Sequence, residues 1–459
     1  MRENKDYLIT EKPSRALLIF SIPMIIGNLF QQAYTIVDSA IVGRYVGETA
    51  LAAVGASYAL TSIFICIAIG GGIGASVIIS HHFGGHNYGR MKTGIRTALL
   101  SFLFISLILG GIGLIFSQQI MEVLNTPADA IDIAVTYLNI YFLGLPFLFM
   151  YNILSSMFNA LGESRIPLYL LIFSSVLNIF LDLYMVAVLN LGVAGAAYAT
   201  FIAQGISAVL SLIIFIVTLQ KLPGKAEGWL SKTEFSDMSR IALPSILQQS
   251  TVSIGMMLVQ SVVNSFGTQI LAGFSAAMRI ESLVAMSAIG NAMSSYTAQN
   301  IGAEKEERIS QGYRMGNFMI IVIAVILCLF LEIAHKPLVA LFLDNAASSQ
   351  TIVTGESYLK FIGFFFCMIG FKMAVDGILR GAGAVRVFTI ANLVNLTLRV
   401  TIAKFGAPIW GVSVVCSTAW LACQLSDFLW ILQNWKVERS CFKNGRLDEE
   451  SSKSHPLYL

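Results

Sequence analysis

Two aspartates lie inside long apolar stretches of the sequence, where a charged side chain is costly and usually has a function. Asp182 follows Ser174 and Asn178 at intervals of four residues, so the three side chains share one helix face. Asp38 belongs to a second such face, with polar residues three, four or seven positions apart: Asn28, Gln31, Gln32, Thr35 and Ser39. Both polar faces must therefore contact protein or water rather than lipid.

Depth within the helices brings these aspartates to a common level. A helix rises 1.5 Å per residue, so a depth can be counted from the predicted outer end of each helix. Four side chains then lie about 9–12 Å below that end: Asp38, Tyr137, Asp182 and Thr200. Asn178 lies one turn deeper. Two carboxylates in a dry site resist carrying two negative charges, which favours uptake of a proton or of Na⁺. We predict a cation site in this layer and no other metal site. The alternative is that each aspartate makes a structural hydrogen bond or ion pair.

The second half of the chain carries a different set of charges. Asn395 and Arg399 have the four-residue spacing of Asn178 and Asp182, 217 positions later. An arginine cannot release a proton at physiological pH. Cation coupling is therefore predicted in the first half of the chain.

Four further charged residues fall inside apolar stretches of the second half. Asp376 follows Lys372 by one helical turn, which predicts a local ion pair. Glu281 can compensate Arg279 or Arg399, or else take part in coupling. Glu281 and Arg399 are thus the second-half candidates for a functional role.

Pro23 lies fifteen residues before Asp38 in the same apolar stretch. A proline removes one backbone hydrogen bond from a helix and permits a kink. Its predicted role is conformational, as a bend that responds to the state of Asp38. A static kink is the equal alternative.

The composition excludes several classes of protein. Of the 459 residues, 56% are hydrophobic and only 12% are charged, against about 25% charged in a soluble domain. Mean hydropathy is +0.75 and net charge is +3. A soluble enzyme, a disordered chain and a nucleic-acid-binding protein are excluded, because too little charge remains to cover a surface in water. No nucleotide-binding or hydrolase motif occurs, so we predict no cofactor and no enzymatic activity.

Twelve apolar stretches are long enough to cross a bilayer as helices. They are longer than the roughly ten residues of a barrel strand, and their polarity does not alternate. We therefore predict an all-α membrane protein of twelve transmembrane helices. The stretches are 15–43, 50–79, 94–117, 131–158, 166–189, 192–219, 239–266, 270–299, 315–334, 355–380, 386–405 and 409–432.

Lysine and arginine residues are unequally distributed between the two sides of these stretches. Alternate connections and both chain ends hold 22 of them, the remaining connections hold four, and three lie inside the stretches. Positive residues of membrane proteins concentrate on the cytoplasmic side. We therefore predict a multi-pass protein of the cell inner (cytoplasmic) membrane with both termini in the cytoplasm.

The chain also repeats itself. Tyr137, Gly162 and Arg165 recur as the same residue types 221 positions later, and so does Pro23. Each repeat holds six predicted helices, so the two bundles share one orientation and relate by a pseudo-two-fold axis along the membrane normal. The predicted division is a first lobe at 1–220, a cytoplasmic linker at 221–240, a second lobe at 241–436 and a disordered cytoplasmic tail at 437–459.

Six short segments, distributed over residues 12–436, have a specific order and spacing. They are Pro23 through Asp38 to Gly43, Ala160–Pro167, Asn178–Asp182, Gly192–Ala197, Gln299–Ala303 and Leu379–Gly383. Together they resemble the multidrug and toxic compound extrusion (MATE) family, and within it the DinF-like branch.

The resemblance implies a two-lobed antiporter of twelve helices that expels amphipathic, often cationic compounds in exchange for H⁺ or Na⁺. It implies that the coupling site consists of the layer already described: Asp38, Tyr137, Asn178, Asp182 and Thr200. It also implies that Gln32, Asn152 and Ser155 contact the substrate.

We therefore predict a multidrug efflux antiporter that works by alternating access. Its expected partners are small-molecule drugs and toxins and membrane lipids, with no nucleic acid, and the expected state is a monomer. One rival is a flippase for a lipid-linked cell-envelope precursor, which the cationic residues Arg279, Lys372 and Arg399 favour. The other rival is a membrane scaffold or receptor that transports nothing.

Overall fold

The computed structural model describes residues 6–46, 48–123, 126, 131–282, 286–340 and 348–410. Within these ranges the regular secondary structure is entirely helical, and a π-helical segment, Leu183–Val188, directly follows α6. The α-helices are α1 (Tyr7–Thr10), α2 (Pro13–Tyr45), α3 (Glu48–Gly84), α4 (Tyr88–Val123), α5 (Ile131–Ala160), α6 (Arg165–Asp182), α7 (Gly192–Gln220), α8 (Lys232–Asn264), α9 (Thr268–Ser282), α10 (Met286–Gly302), α11 (Glu307–Ala340), α12 (Ser349–Gly363), α13 (Phe366–Gly381) and α14 (Val385–Trp410).

These helices confirm the prediction of an all-α membrane protein. Ten helical regions are long and apolar enough to cross a membrane, and the bent pair α12–α13 makes an eleventh within the described part of the chain. The twelfth predicted stretch, 409–432, lies outside the described residues except for its first two positions. The predicted tail at 437–459 lies outside them entirely.

Several helices extend well beyond the apolar stretches that predicted them. α4 begins at Tyr88 rather than at residue 94, and α8 begins at Lys232 rather than at residue 239. At the start of α8 the Ser231 side chain accepts a hydrogen bond from the backbone N–H of Glu234 at 3.3 Å, which caps the helix. Within the predicted linker, residues 221–231 connect the lobes and the remainder is helical. Hydropathy marks only the part of a helix that lies in lipid, and polar turns continue it into water.

Two spans depart from a straight α-helix. In the second lobe, α12 and α13 meet at a bend of 54°. In the first lobe, the chain changes from α-helix to π-helix directly after Asp182. Single π-helical turns are frequent at functional sites, and this one begins at the aspartate that the sequence singles out.

The two lobes share a turn that the sequence repeat predicts. Gly162 follows α5 with φ of 79°, and Gly383 follows α13 with φ of 72°. Both lie in the left-handed region that favours glycine after a helix C-terminus. The helices that follow these turns, α6 and α14, begin at Arg165 and Val385, so they start in nearly the same register of the repeat.

Each lobe has its own apolar core. In the first lobe, Phe158 and Phe215 pack edge to face with ring centroids 5.0 Å apart. The second core surrounds the fully buried Tyr296, and residues from the start of the chain join it, among them Leu17 and Phe20. The first turns of α2 therefore pack with the second lobe, although the helix as a whole belongs to the first.

The lobes meet along α3, which packs against both α8 and α10. A Cβ atom added at Gly84 would overlap the carbonyl oxygen of Gln299, and one added at Gly302 would overlap that of His81. Gly84 and Gly302 are the last residues of α3 and α10. We call this close approach of the two lobes, formed by these four residues, the sealed end.

Candidate functional site

The two aspartates of the predicted layer lie in direct contact. The carboxyl groups of Asp38 on α2 and Asp182 at the end of α6 lie within hydrogen-bonding reach of each other. Asp182 is fully buried, whereas Asp38 is half-buried. A bond between two carboxyl groups requires a proton on one of them. With both ionised, the buried Asp182 Oδ1 has no donor among the described residues.

Asn178 joins this pair to the neighbouring helices. With its amide nitrogen turned toward the acids, Asn178 donates to the Tyr34 hydroxyl and to Asp182 Oδ2, both at 2.8 Å. Its oxygen then accepts from the Thr200 hydroxyl at 3.3 Å and from the Thr200 backbone N–H at 3.1 Å. The hydrogen-bond partners decide between the two amide orientations. The resulting network connects α2, α6 and α7.

Two phenols complete the cluster. Tyr137 on α5 lies within electrostatic reach of both Asp38 and Asp182, so the structure brings together the five residues predicted for the cation site. Their role in coupling stays a prediction. Tyr34 lies against the same carboxyls and was not among the predicted residues. A signal for Tyr34 exists in the sequence, because it precedes Asp38 by four residues on one helix face.

The chemistry available to this cluster is the binding of a small monovalent cation. Carboxylate, amide and hydroxyl oxygens are hard ligands that suit cations such as Na⁺. The same two carboxyls can instead share a proton. Both ions would neutralise the buried negative charge of the pair.

The residues predicted to contact substrate lie at a different depth. Asn152 and Ser155 are on α5, about 22 and 27 Å along the helix axis from Tyr137, toward the sealed end. Both residues are half-buried, and the Asn152 amide donates to the Leu148 carbonyl oxygen of its own helix at 2.8 Å. Gln32, also half-buried, is on α2 and closer to the cation layer. The structure thus separates the α5 pair from the cation site.

In the second lobe, Glu281 lies with Tyr358 and Arg399. The Tyr358 hydroxyl on α12 donates to Glu281 Oε2 on α9 at 2.6 Å. The positive charge of Arg399, on α14, acts on the same carboxyl. Arg279, the other residue predicted as a possible counter-charge for Glu281, is exposed.

The predicted ion pair between Lys372 and Asp376 is present, with Nζ and Oδ2 2.9 Å apart. Both side chains are buried between helices of the second lobe. Gln248 donates to the same Asp376 oxygen at 3.0 Å, and Lys372 donates to Asn392 Oδ1 at 2.9 Å. This network neutralises one of the cationic residues that favoured the flippase alternative.

The helices correct one alignment between the lobes. The 217-residue spacing pairs Arg399 with Asp182, but α6 and α14 both run without a break from the shared turn. Counted from that turn in the 221-residue register, Arg399 lies opposite Asn178, one helical turn from the predicted pairing. The continuous backbone fixes the register, whereas two polar residues four positions apart can be matched in more than one way.

At the sealed end, ion pairs connect the first lobe to the start of α8. His82 Nε2 lies 2.9 Å from Glu234 Oε2, and Arg90 lies 3.1 Å from the other oxygen of this buried carboxyl. A further contact between the lobes is the hydrogen bond that Gln299 of α10 donates to the Ala160 carbonyl oxygen of α5 at 2.8 Å. None of these contacts was predicted from the sequence.

The N-terminal residues also cross between the lobes at the sealed end. The Tyr7 hydroxyl donates to the Gly162 carbonyl oxygen of the first lobe at 2.8 Å. Backbone carbonyls of residues 8–11 accept bonds from the second-lobe side chains of Asn300, Lys305 and Arg308. The segment therefore bridges the two lobes.

Two repeated lobes of membrane helices define a polytopic membrane protein, and among the described residues only the first lobe has two carboxyl groups in contact. The chain belongs to the MatE family, whose profile matches residues 23–184 and again residues 244–404. The two matched stretches begin 221 residues apart, the interval of the sequence repeat.

Several relatives align over most of the chain. A protein of Bacillus subtilis (strain 168) named "probable multidrug resistance protein YpnP" is 32% identical over 384 residues, 83% of this chain and 85% of the relative. The multidrug export protein MepA of Staphylococcus aureus (strain N315) is 23% identical over 94% of this chain and 97% of its own. An FAD transporter of Shewanella oneidensis is 24% identical over 74% of this chain and 76% of its own.

Solved structures share the fold. One described as an outward-facing conformation of a multidrug resistance MATE family transporter has a TM-score of 0.86 at 22% identity, covering 96% of this chain and all of its own. A MOP superfamily transporter from Pyrococcus furiosus has a TM-score of 0.87 at 22% identity, covering 95% and 98%. At this level of identity the likeness concerns the fold, which is the predicted two-bundle, twelve-helix architecture.

Proposed function

We propose that this protein is a multidrug efflux antiporter that exports amphipathic, often cationic compounds in exchange for H⁺ or Na⁺. Membership of the MatE family and the names of its relatives support transport of drugs. The observation that carries cation coupling is the contact between Asp38 and Asp182, together with the buried Asp182 Oδ1 that has no donor when both are ionised.

The proposed cycle alternates the charge of this pair. With both carboxyls ionised, the first lobe is negative and a cationic drug binds. A proton or Na⁺ entering from outside neutralises the pair, which satisfies Asp182 Oδ1 and changes the hydrogen bonds of Asn178 and Tyr34. Drug binding weakens and the drug leaves. Exchange requires that the two ligands compete, directly or through conformation, because independent binding would give no coupling.

Pro23 is proposed to act as the flexible point through which this change is transmitted along α2. Pro23 lies inside the continuous helix, among the turns that pack with the second lobe and fifteen residues before Asp38. A rearrangement at the carboxyl pair can therefore reach the lobe contact through a single helix.

We further propose that the sealed end faces the cytoplasm and that the protein lies in the inner membrane with both termini cytoplasmic. The lysine and arginine distribution supports this orientation. The structure then corresponds to an outward-facing state. Labelling of single cysteines by an impermeant reagent from either side of the membrane tests the orientation.

The experiment that tests the proposed function is transport by purified protein in lipid vesicles. A pH gradient alone, or a Na⁺ gradient alone, should drive a fluorescent cationic drug against its concentration gradient. Abolition of the gradient by an ionophore should stop net transport. If neither gradient moves any drug faster than in protein-free vesicles, the coupling proposal fails.

A polar side chain far from the cation site should select among drugs. Asn152 is a half-buried neutral polar residue of α5, and a neutral polar group suits loose binding of varied amphipathic cations. Asn152→Ala should therefore change the relative resistance of cells to different compounds severalfold while leaving the protein level unchanged. Asn264→Ala, at an exposed residue near the end of α8, is the control. An equal loss for every compound would argue against a contact with substrate.

A further inference from the structure

The 221-residue register assigns a second-lobe counterpart to every described member of the first-lobe site on α2, α5 and α6. One tyrosine is retained, but both carboxyls are replaced by buried apolar side chains. The pairs are Tyr137 with Tyr358, Asn178 with Arg399, Asp38 with Val259 and Asp182 with Ala403.

Arg399 takes space that a tyrosine occupies in the first lobe. Tyr34, which bonds to Asn178, has Gly255 as its counterpart in the same register. A Cβ atom at Gly255 would lie 3.3 Å from both Cδ and Nη1 of Arg399. Glycine thus leaves room for the guanidinium, and the two exchanges compensate each other in volume.

The negative charge of the second-lobe site comes from a different helix. Glu281 on α9 accepts the Tyr358 hydroxyl at 2.6 Å, and Arg399 is only 4% exposed. A guanidinium keeps its charge at any physiological pH. The positive charge of Arg399 acts on the Glu281 carboxyl, so loss of either group removes charge compensation from the other.

We propose that Arg399 is a tethered cation. It occupies in the second lobe the place that an exchangeable monovalent cation, H⁺ or Na⁺, takes in the first, and it holds Glu281 in one charge state throughout the transport cycle. Freed of Arg399, the Glu281 site would itself take up a proton. The comparison with an exchangeable cation rests on the proposed function, whereas the test below requires no transport.

The test is the pH dependence of thermal unfolding of the purified protein. In Arg399→Gln, the half-buried Glu281 carboxyl loses the positive charge that acts on it and favours the protonated form, so the folded state binds more protons than the unfolded state. Stability then falls as pH rises. Relative to the parent, the melting temperature of Arg399→Gln should drop by about 1 °C more between pH 6 and pH 8, the size of shift that roughly one kcal/mol produces in a chain of 459 residues.

Three variants control this measurement. Arg399→Lys keeps the charge and should retain the pH dependence of the parent. The double variant Arg399→Gln/Glu281→Gln should lose the added dependence, because no carboxyl remains to titrate. Glu281→Gln alone leaves the Arg399 guanidinium without its counter-charge, and the guanidinium cannot lose its proton at physiological pH. This variant should therefore lower the melting temperature equally at every pH. The proposal is overturned if Arg399→Gln shows the pH dependence of the parent, or if the added dependence persists in the double variant.

Among the described residues, the Tyr358 hydroxyl on α12 and the Arg399 guanidinium on α14 are the titratable and charged groups that act on Glu281. The first-lobe carboxyls are unchanged in all four variants, so their titration cancels in each comparison with the parent. Failure of this inference would therefore leave the first-lobe proposal untouched.

Discussion

Asp38→Asn should reduce gradient-driven efflux to the level of vesicles without protein, while the variant still folds. An amide at position 38 can donate permanently to Asp182 Oδ1, the atom that has no donor when both acids are ionised. The site would then be held in its neutral form and could not release a cation. The measurement is drug uptake into vesicles under an imposed pH or Na⁺ gradient, with the melting temperature as the test of folding.

Two other variants complete this experiment. Asp182→Asn should cause nearly the same loss, because either carboxyl is needed for the exchange. Asn395→Ala, which removes a polar group of the second lobe, should cost much less. Purified, folded Asp38→Asn protein that pumps drug against its gradient at the parent rate would show that coupling resides elsewhere.

The grouping of the five residues of the proposed cation site could be predicted because it follows from helix geometry alone. Four-residue spacing placed Asn178 and Asp182 on one face of α6, and a constant rise per residue placed Tyr137 and Thr200 at the same depth. Tyr34 was not predicted as a member of this group, because a tyrosine in an apolar stretch counts as a hydrophobic residue. Its phenol becomes polar in function only where a partner such as Asn178 stands opposite.

Contacts between the lobes could not be predicted in the same way. Hydropathy reports whether a side chain avoids water, and it does not report which helix covers that side chain. Leu17 and Phe20 belong to the first predicted apolar stretch, 15–43, and hence to the predicted first lobe, whereas they pack into the core of the second lobe. Likewise Glu234 reads as part of a polar linker, although it is buried between His82 and Arg90.

In the proposed transport cycle the sealed end must open, which requires that the contacts between the two lobes at this end are broken. The ion pairs of Glu234, the bond from Gln299 to Ala160 and the N-terminal bridge all span the lobes. Each is polar and replaceable by water, so each weakens readily as the lobes part. The glycine contacts differ, because no side chain could be added there without holding the lobes apart.

Gly84→Ala should therefore hold the sealed end open. Its backbone lacks the left-handed φ that would strain an alanine, so the effect arises from the overlap with Gln299 alone. An overpacking cost of about 1–3 kcal/mol corresponds to a 5- to 150-fold shift, approximately, in the ratio of sealed to open molecules. Efflux should fall accordingly, because the sealed state is needed in every cycle. A thiol introduced by Ser80→Cys, at a fully buried position beside Ala160, reports the opening.

In a background without native cysteines, this thiol should react slowly in the parent and much faster with Gly84→Ala. An impermeant maleimide should reach it in inside-out vesicles and not in intact cells, because the sealed end is proposed to face the cytoplasm. Gly111→Ala is the matched control, since a Cβ there meets no atom within 4 Å.

Equal labelling rates for the two alanine variants would mean that the contact between Gly84 and Gln299 does not limit the closure of the lobes. Faster labelling from the outside of intact cells would reverse the proposed orientation. Neither outcome bears on the proposed cation site, because Asp38 lies on α2 and Asp182 on α6, and neither helix contributes to the glycine contacts of the sealed end.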